Sequence, residues 1–378
     1  MTPLSYCTNV HPAEDLPGVL AQLDRYAEPV RRLVGVDVLG LGLWLPAGLA
    51  GELAGDPALR ARLRAELDAR GLEVYTLNAF PYGGFHDDVV KHSVYRPQWT
   101  DPRRLEYTVD CATVLADLLP DTASYGSIST LPLAWRAPWD GADDTAATSA
   151  FAELTGVLAG MARRDGRPIR LAVEPEPGCV LDTVADAVSW LANRVDPRFV
   201  GLCLDTCHLA VSFADPAETV AAIHRAGLSV VKVQASAALQ VEEPASEAAQ
   251  AALADFTEPR YLHQVRERTG DGAVLGSDDL PQALAELPAQ RAWRVHFHVP
   301  LHARPAAPLS ATTDVLRGAV AALESTVEEL PHIEVETYTW SVLPETAGNG
   351  GDTALIRGIA AELRWAAAQL LGQEGGVR

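Results

Sequence analysis

Lysine is almost missing from this chain: Lys91 and Lys232 are the only two among 378 residues, and arginine carries nearly all the positive charge. Acidic residues outnumber basic ones 50 to 30, giving a formal net charge of −20 and a pI of about 4.8. A surface this acidic repels phosphate backbones, so nucleic acid is not an expected partner, although a local basic pocket can still hold a small phosphorylated ligand. No uncharged apolar run approaches the ~20 residues that a bilayer-spanning helix needs. The opening "MTPLSYCTNVHPAEDLPG" lacks the basic and apolar regions of a secretion signal. The five cysteines (Cys7, Cys111, Cys179, Cys203, Cys207) are odd in number and form no C-x-x-C. These absences lead to the expectation of a reduced, cytoplasmic protein without membrane insertion.

What the chain does contain is alternation. Short apolar runs read as strands at 4–10, 36–45, 72–80, 124–130, 169–176, 200–206, 229–236, 293–299 and 332–340. Between them lie helix candidates such as "PALRARLRAELDARG", "TSAFAELTGVLAGMARRDG" and "VADAVSWLANR". Near-continuous apolar strands alternating with helices predict a parallel sheet covered by helices, and eight such strands close a (β/α)8 TIM barrel. The whole chain, 1–378, is then one domain. Nine runs is one too many, so 237–331 reads as a long insertion between strands seven and eight. It holds a hairpin about "GDG", with "WRVHFHV" inside the insertion or at its end. "LNAFPYGGFHDD" and "LPETAGNGGDT" read as loops over a site. A doubly wound open sheet is the alternative fold, but no G-x-G-x-x-G joins a strand to a helix.

Polar residues gather at the ends of these strands, where (β/α) barrels build active sites. Strand five ends with Glu174 and Glu176, and strand six with Asp205 and His208. Strand seven carries Lys232 and Gln234, then come His296 and His298, and finally Glu334 and Glu336. Residues i and i+2 share a strand face, so these acids would crowd one small volume. Their repulsion and desolvation would cost several kcal/mol unless a cation neutralises them. Carboxylates with an amide oxygen suit Mg²⁺ or Mn²⁺; added histidines extend the choice to Mn²⁺, Co²⁺, Fe²⁺ or Zn²⁺. Plainer readings stand beside these. Glu176 before Pro177-Gly178 fits a turn cap, Asp205 fits a helix cap, and His296 and His298 fit an edge strand. Lys232 fits a carboxylate partner, a substrate ligand or a Schiff-base lysine. Lys91, near His86, His92, Tyr95 and Arg96, fits either a lid gripping a polar or phosphorylated ligand or a solvated loop.

The pattern "AVEPEP…LDTCH…KVQAS…VETY" resembles the xylose-isomerase-like TIM barrel superfamily of sugar isomerases, ketose epimerases, inosose dehydratases and AP endonucleases. The resemblance implies one or two divalent metal ions on Glu174, Asp205, His208, Gln234, His298 and Glu336. Glu174, Glu336 and His208 are then the expected catalytic residues, and Lys232, His296, Lys91 and Asn78 are expected at the substrate. Gln234 departs from the pattern, which has His there. "SYCTNVHP", "TLNAFPYGGFH", "VKHSVYRPQW", "VKVQASAAL" and "HFHVPLH" further resemble one branch, the ebo-cluster metabolite-traffic (EboE) proteins. That branch implies a cyclitol or sugar-like substrate and pathway partners resembling a sugar-phosphate cyclase and a prenyltransferase, while the superfamily's barrels imply a homo-oligomer. Three functions follow as expectations: a metal-dependent isomerase or epimerase, a non-catalytic metabolite carrier, or a metal-dependent phosphoesterase.

Overall fold

The computed structural model describes residues 4–344 and 351–372. Seven strands come first in chain order: β1 (Leu4–Cys7), β2 (Leu39–Trp44), β3 (Leu72–Asn78), β4 (Gly126–Thr130), β5 (Ile169–Val173), β6 (Val200–Asp205) and β7 (Val230–Ala235). Then come β8 (Leu239–Val241), β9 (Val265–Arg268), β10 (Val274–Ser277), β11 (Trp293–Val295), β12 (Leu309–Ala311) and β13 (His332–Val335). Strands β1 to β7 and β13 form a closed barrel in which β1 lies between β2 and β13, and β7 between β6 and β13. Every pairing around it is parallel. The fold is the (β/α)8 TIM barrel. Helices such as Pro57–Asp68, Gly141–Asp165 and Val184–Leu191 pack outside, the last two opened by reciprocal capping boxes at Asp140 and Thr183.

The barrel strands read as unbroken apolar runs because both faces are covered, by helices outside and by barrel filling within. The filling is partly polar. Lys232 and Glu334 are both fully buried and form an ion pair at 2.7 Å. Gly42 on β2 makes room for it: a Cβ there would sit 1.2 Å from Glu334 Oε1.

Residues 239–311 supply a second, five-stranded sheet in the order β10-β9-β11-β8-β12, antiparallel throughout. Its β9–β10 hairpin turns at Gly272, whose φ of +91° suits glycine. Several sequence-based boundaries shift. "WRVHFHV" is not a barrel strand: only Trp293–Val295 pairs, within the second sheet, and His296 to His298 run as a loop. Strand β5 stops at Val173 and β13 at Val335, so Glu174, Glu176 and Glu336 stand just beyond their strands. Of the loop expected at 343–353, residues 345–350 lie outside the described residues, and Gly351 already starts the helix Gly351–Leu370.

Candidate metal centre and active site

The end of β6 answers both readings of Asp205. Its Oδ1 caps the helix Thr206–Val211 by accepting from His208 N at 2.9 Å, and it accepts from Ser236 Oγ at the same distance. Its Oδ2 is buried and has no hydrogen-bond partner among the described residues. Glu174, Asp205 and Glu336 each offer an oxygen within 4.8 Å of the others. All three are buried, with exposures of 4, 2 and 4%. Burial and the Glu336 charge push the Glu174 carboxyl well above the usual carboxylate range. Burial and the Asp205 charge push Glu336 up to about 8. Glu174 Oε2 and both polar atoms of the Gln234 amide are likewise buried without partners. Gln234 pairs in register with Asp205 on one side and Glu334 on the other. Buried orphaned oxygens on a cluster of acids are what a divalent cation satisfies, so the donor set fits a metal.

Three imidazoles stand beside these acids. His208 Nδ1 lies 2.9 Å from Pro175 O and His298 Nδ1 lies 2.7 Å from Glu336 O. A carbonyl only accepts, so both Nδ1 atoms carry a proton, and in the neutral ring the lone pair is then on Nε2. His296 Nδ1 lies 2.6 Å from Gln264 Oε1. The amide orientation follows from Gln264 Nε2, which donates to Glu176 Oε1 at 3.0 Å and Pro177 O at 2.9 Å. His296 therefore also donates from Nδ1. Its Nε2 meets His208 Nε2 at 3.0 Å. His298 Nε2 is buried without a partner, 3.8 Å from Asp205 Oδ2. Burial keeps His298 neutral down to about 4 and pushes His296 well below the usual imidazole range. Glu176, His208 and His296 form one potential metal-holding group, and Asp205, His208 and His298 another.

A cavity of about 540 Å³ opens above this floor. It is lined by Glu174, Glu176, His208, His296, His298 and Glu336, and also by Asn78 and Lys91. Asn78 Nδ2 donates to Glu336 Oε1 at 2.8 Å, which orients that acid. Lys91 Nζ is engaged by Asp279 at 2.6 Å at the rim. Lys232, expected at the substrate, lies outside the cavity lining: its ion pair with Glu334 turns it into barrel filling. Glu176 holds Tyr95 OH at 2.7 Å as well as Gln264. Three contributors escaped sequence reasoning. Asn9, just past β1, donates to Glu336 Oε1 at 2.7 Å, and the strand-end rule would have found it. Gln264 and Tyr261 come from the insertion, where no pattern marked them.

A family profile described as xylose isomerase-like TIM barrel matches residues 34–292. Among solved structures, D-psicose 3-epimerase from Clostridium cellulolyticum H10 with D-tagatose superposes with a TM-score of 0.52 at 15% identity, covering 98% of this chain and 99% of that one. D-allulose 3-epimerase from Methylomonas sp., in complex with D-allulose, gives 0.51 at 14% identity over 97% of both chains. The IolI protein with a bound zinc atom gives 0.51 at 13% identity over 99% of this chain and 100% of that one. No curated protein matches the sequence.

Proposed function

Since the chain belongs to the xylose isomerase-like TIM barrel family, we propose that it is a metal-dependent isomerase or epimerase of a polyhydroxylated carbonyl compound. The observation that carries this reading is the buried triad of Glu174, Asp205 and Glu336, which bring one oxygen each within 4.8 Å of the others, with Glu174 Oε2 and Asp205 Oδ2 unpartnered among the described residues. Those three residues, with Gln234, would hold the metal; His208, His296 and His298 are donors for a second ion. When bound, the cation polarises the carbonyl and lowers the pKa of the adjacent C–H.

The residues then divide the work. One of Glu174 and Glu336 takes the α-proton and the other returns one, so the intermediate is an enediolate. Asn9 and Asn78 both grip Glu336 Oε1, leaving Oε2 as the oxygen free to move a proton. His208, fixed by Pro175 O, stands where a developing oxyanion needs support. The neighbours whose names include D-psicose and D-allulose epimerase support a sugar-like substrate. The finer reading, a cyclitol or related metabolite of an ebo-type pathway with cyclase-like and prenyltransferase-like partners, draws on the sequence resemblance.

The test is metal content and exchange chemistry together. One or two equivalents of metal, lost in Asp205→Ala, with metal-dependent loss of an α-proton to D₂O from D-fructose or D-psicose, is the expected result. Metal-free protein after reconstitution with Mn²⁺, Co²⁺ and Zn²⁺ would overturn it. Gln234 in place of the pattern's His favours one second reading, a carrier that binds its metabolite and returns it unchanged. Metal binding without proton exchange would select that reading. A phosphoesterase acting on DNA is disfavoured by the net charge of −20.

A further inference from the structure

One buried acid lies outside the cavity and serves no step described so far. Glu362, on the helix Gly351–Leu370, is 1% exposed and takes no part in the cavity lining. Its carboxylate accepts three hydrogen bonds. Oε1 accepts from Thr337 Oγ1 at 2.6 Å and from Leu301 N at 3.0 Å, and Oε2 accepts from Trp340 Nε1 at 3.1 Å. None of these partners is a cation. An acid buried without a counter-charge costs free energy that an apolar residue on the same helix face would not. The helix is nevertheless shaped for the contact. One turn before Glu362, a Cβ at Gly358 would come within 2.2 Å of the Trp340 ring, so glycine there lets the indole approach the acid.

The three donors come from the two segments that carry Glu336 and His298. Thr337 directly follows Glu336, and Leu301 is three residues past His298. The same segments also meet at the cavity floor: His298 Nδ1 donates to Glu336 O at 2.7 Å, and Thr339 Oγ1 donates to His298 O. Both Glu336 and His298 lie past the ends of their strands, which stop at Val335 and Val295, so strand pairing does not set the distance between them. A single carboxylate oxygen that accepts from both segments does.

We propose that Glu362 is a positioning residue of the metal centre: by joining Thr337 to Leu301 through one oxygen, it holds Glu336 and His298 at the spacing that a cation needs. This rests on the metal-dependent reading of the floor and adds to it a residue that touches neither ion nor substrate. Groups that orient metal ligands in this way typically govern 10–100-fold of the metal affinity.

Mn²⁺ titration of four variants tests it, with the visible spectrum of the Co²⁺-loaded protein as a reporter of ligand geometry. Glu362→Leu should weaken Mn²⁺ about tenfold and alter the Co²⁺ bands. Thr337→Val, which removes one donor and keeps the shape, should act in the same direction by a smaller factor; it decides the matter alone if Glu362→Leu does not fold. Glu362→Gln keeps an oxygen for Thr337 and Leu301, gives up only the Trp340 bond, and should stay within about threefold of the wild type. Ile359→Ala, buried on the same helix, should lower Tm without moving either metal readout. Wild-type affinity in both Glu362→Leu and Thr337→Val, or an equal loss in Ile359→Ala, would overturn the inference and leave the metal-dependent reading standing. A wild-type protein that takes up no metal would overturn both.

Discussion

His208 and His296 face each other across 3.0 Å through their Nε2 atoms, and both donate from Nδ1 to oxygen acceptors. Two neutral imidazoles in these tautomers would set lone pair against lone pair, which a proton or a cation relieves. Two nitrogens bound at about 2.1 Å to one tetrahedral zinc would lie about 3.4 Å apart, a few tenths of an ångström beyond the present separation. The expectation is therefore two zinc equivalents in the reconstituted protein, falling to one in His296→Ala, with the Glu174, Asp205 and Glu336 site still filled. Elemental analysis after dialysis decides it; two equivalents in the variant would place the second ion elsewhere.

The buried acids set a pH dependence. Glu336 titrates near 8 and Glu362 near 7 in the fold, both raised chiefly by burial from 4.5. A folded-state pKa above the unfolded value means that the native protein keeps protons that the unfolded chain has lost. The stability that each acid contributes is thus fully present at low pH and fades as pH rises through 7 and 8. His298, depressed from 6.5 to about 4, acts in the opposite direction only below 6.5. Between pH 6.5 and 8 the metal-free protein should therefore lose several degrees of Tm. Saturating metal should cancel most of the loss, because the cation favours the ionised acids. A flat Tm in metal-free buffer would contradict the assignment.

Lys232 provides a prediction about the barrel itself. Its partner Glu334 is 0% exposed, so Lys232→Met leaves a carboxylate stranded beside the Cβ-free niche at Gly42. Removing one member of a buried pair costs about 3–5 kcal/mol. Pairing it with Glu334→Leu should recover much of that in urea unfolding. Both variants, if folded, should still take up metal; a double variant no more stable than the single would show that the ion pair is not the source of the loss.

How much of this was legible beforehand depended on distance along the chain. Glu174, Asp205 and Glu336 were readable as a cluster because each stands at the end of an apolar strand, and the barrel brings those ends together. Asn9 stands two residues past β1, and an asparagine before "VHP" looks like an ordinary turn. Period-two alternation correctly put both Lys232 and Gln234 inside the barrel, yet alternation does not say which layer meets the cavity and which fills the core. "WRVHFHV" carries a strand pattern for its first three residues; its pairing with β8 and β9 depends on contacts some fifty and thirty residues away. The contact of Phe85 with Tyr261 was invisible for the same reason, since the two are neighbours only through the folded insertion.

Gln234 is the position at which the sequence departs from the resembled pattern, and its surroundings turn that departure into a measurement. Both its amide atoms are buried without partners, and its backbone is in register with Asp205. An amide oxygen is a weaker and harder donor than imidazole, so it favours Mn²⁺ or Mg²⁺ over Zn²⁺. Gln234→His should tighten zinc about tenfold or more relative to manganese, and Gln234→Leu should weaken both metals by a similar factor. Competition titrations with a chelator read both ratios directly. If Gln234→Leu binds manganese as tightly as the wild type, the amide is not a ligand, and the buried acids hold the ion without it.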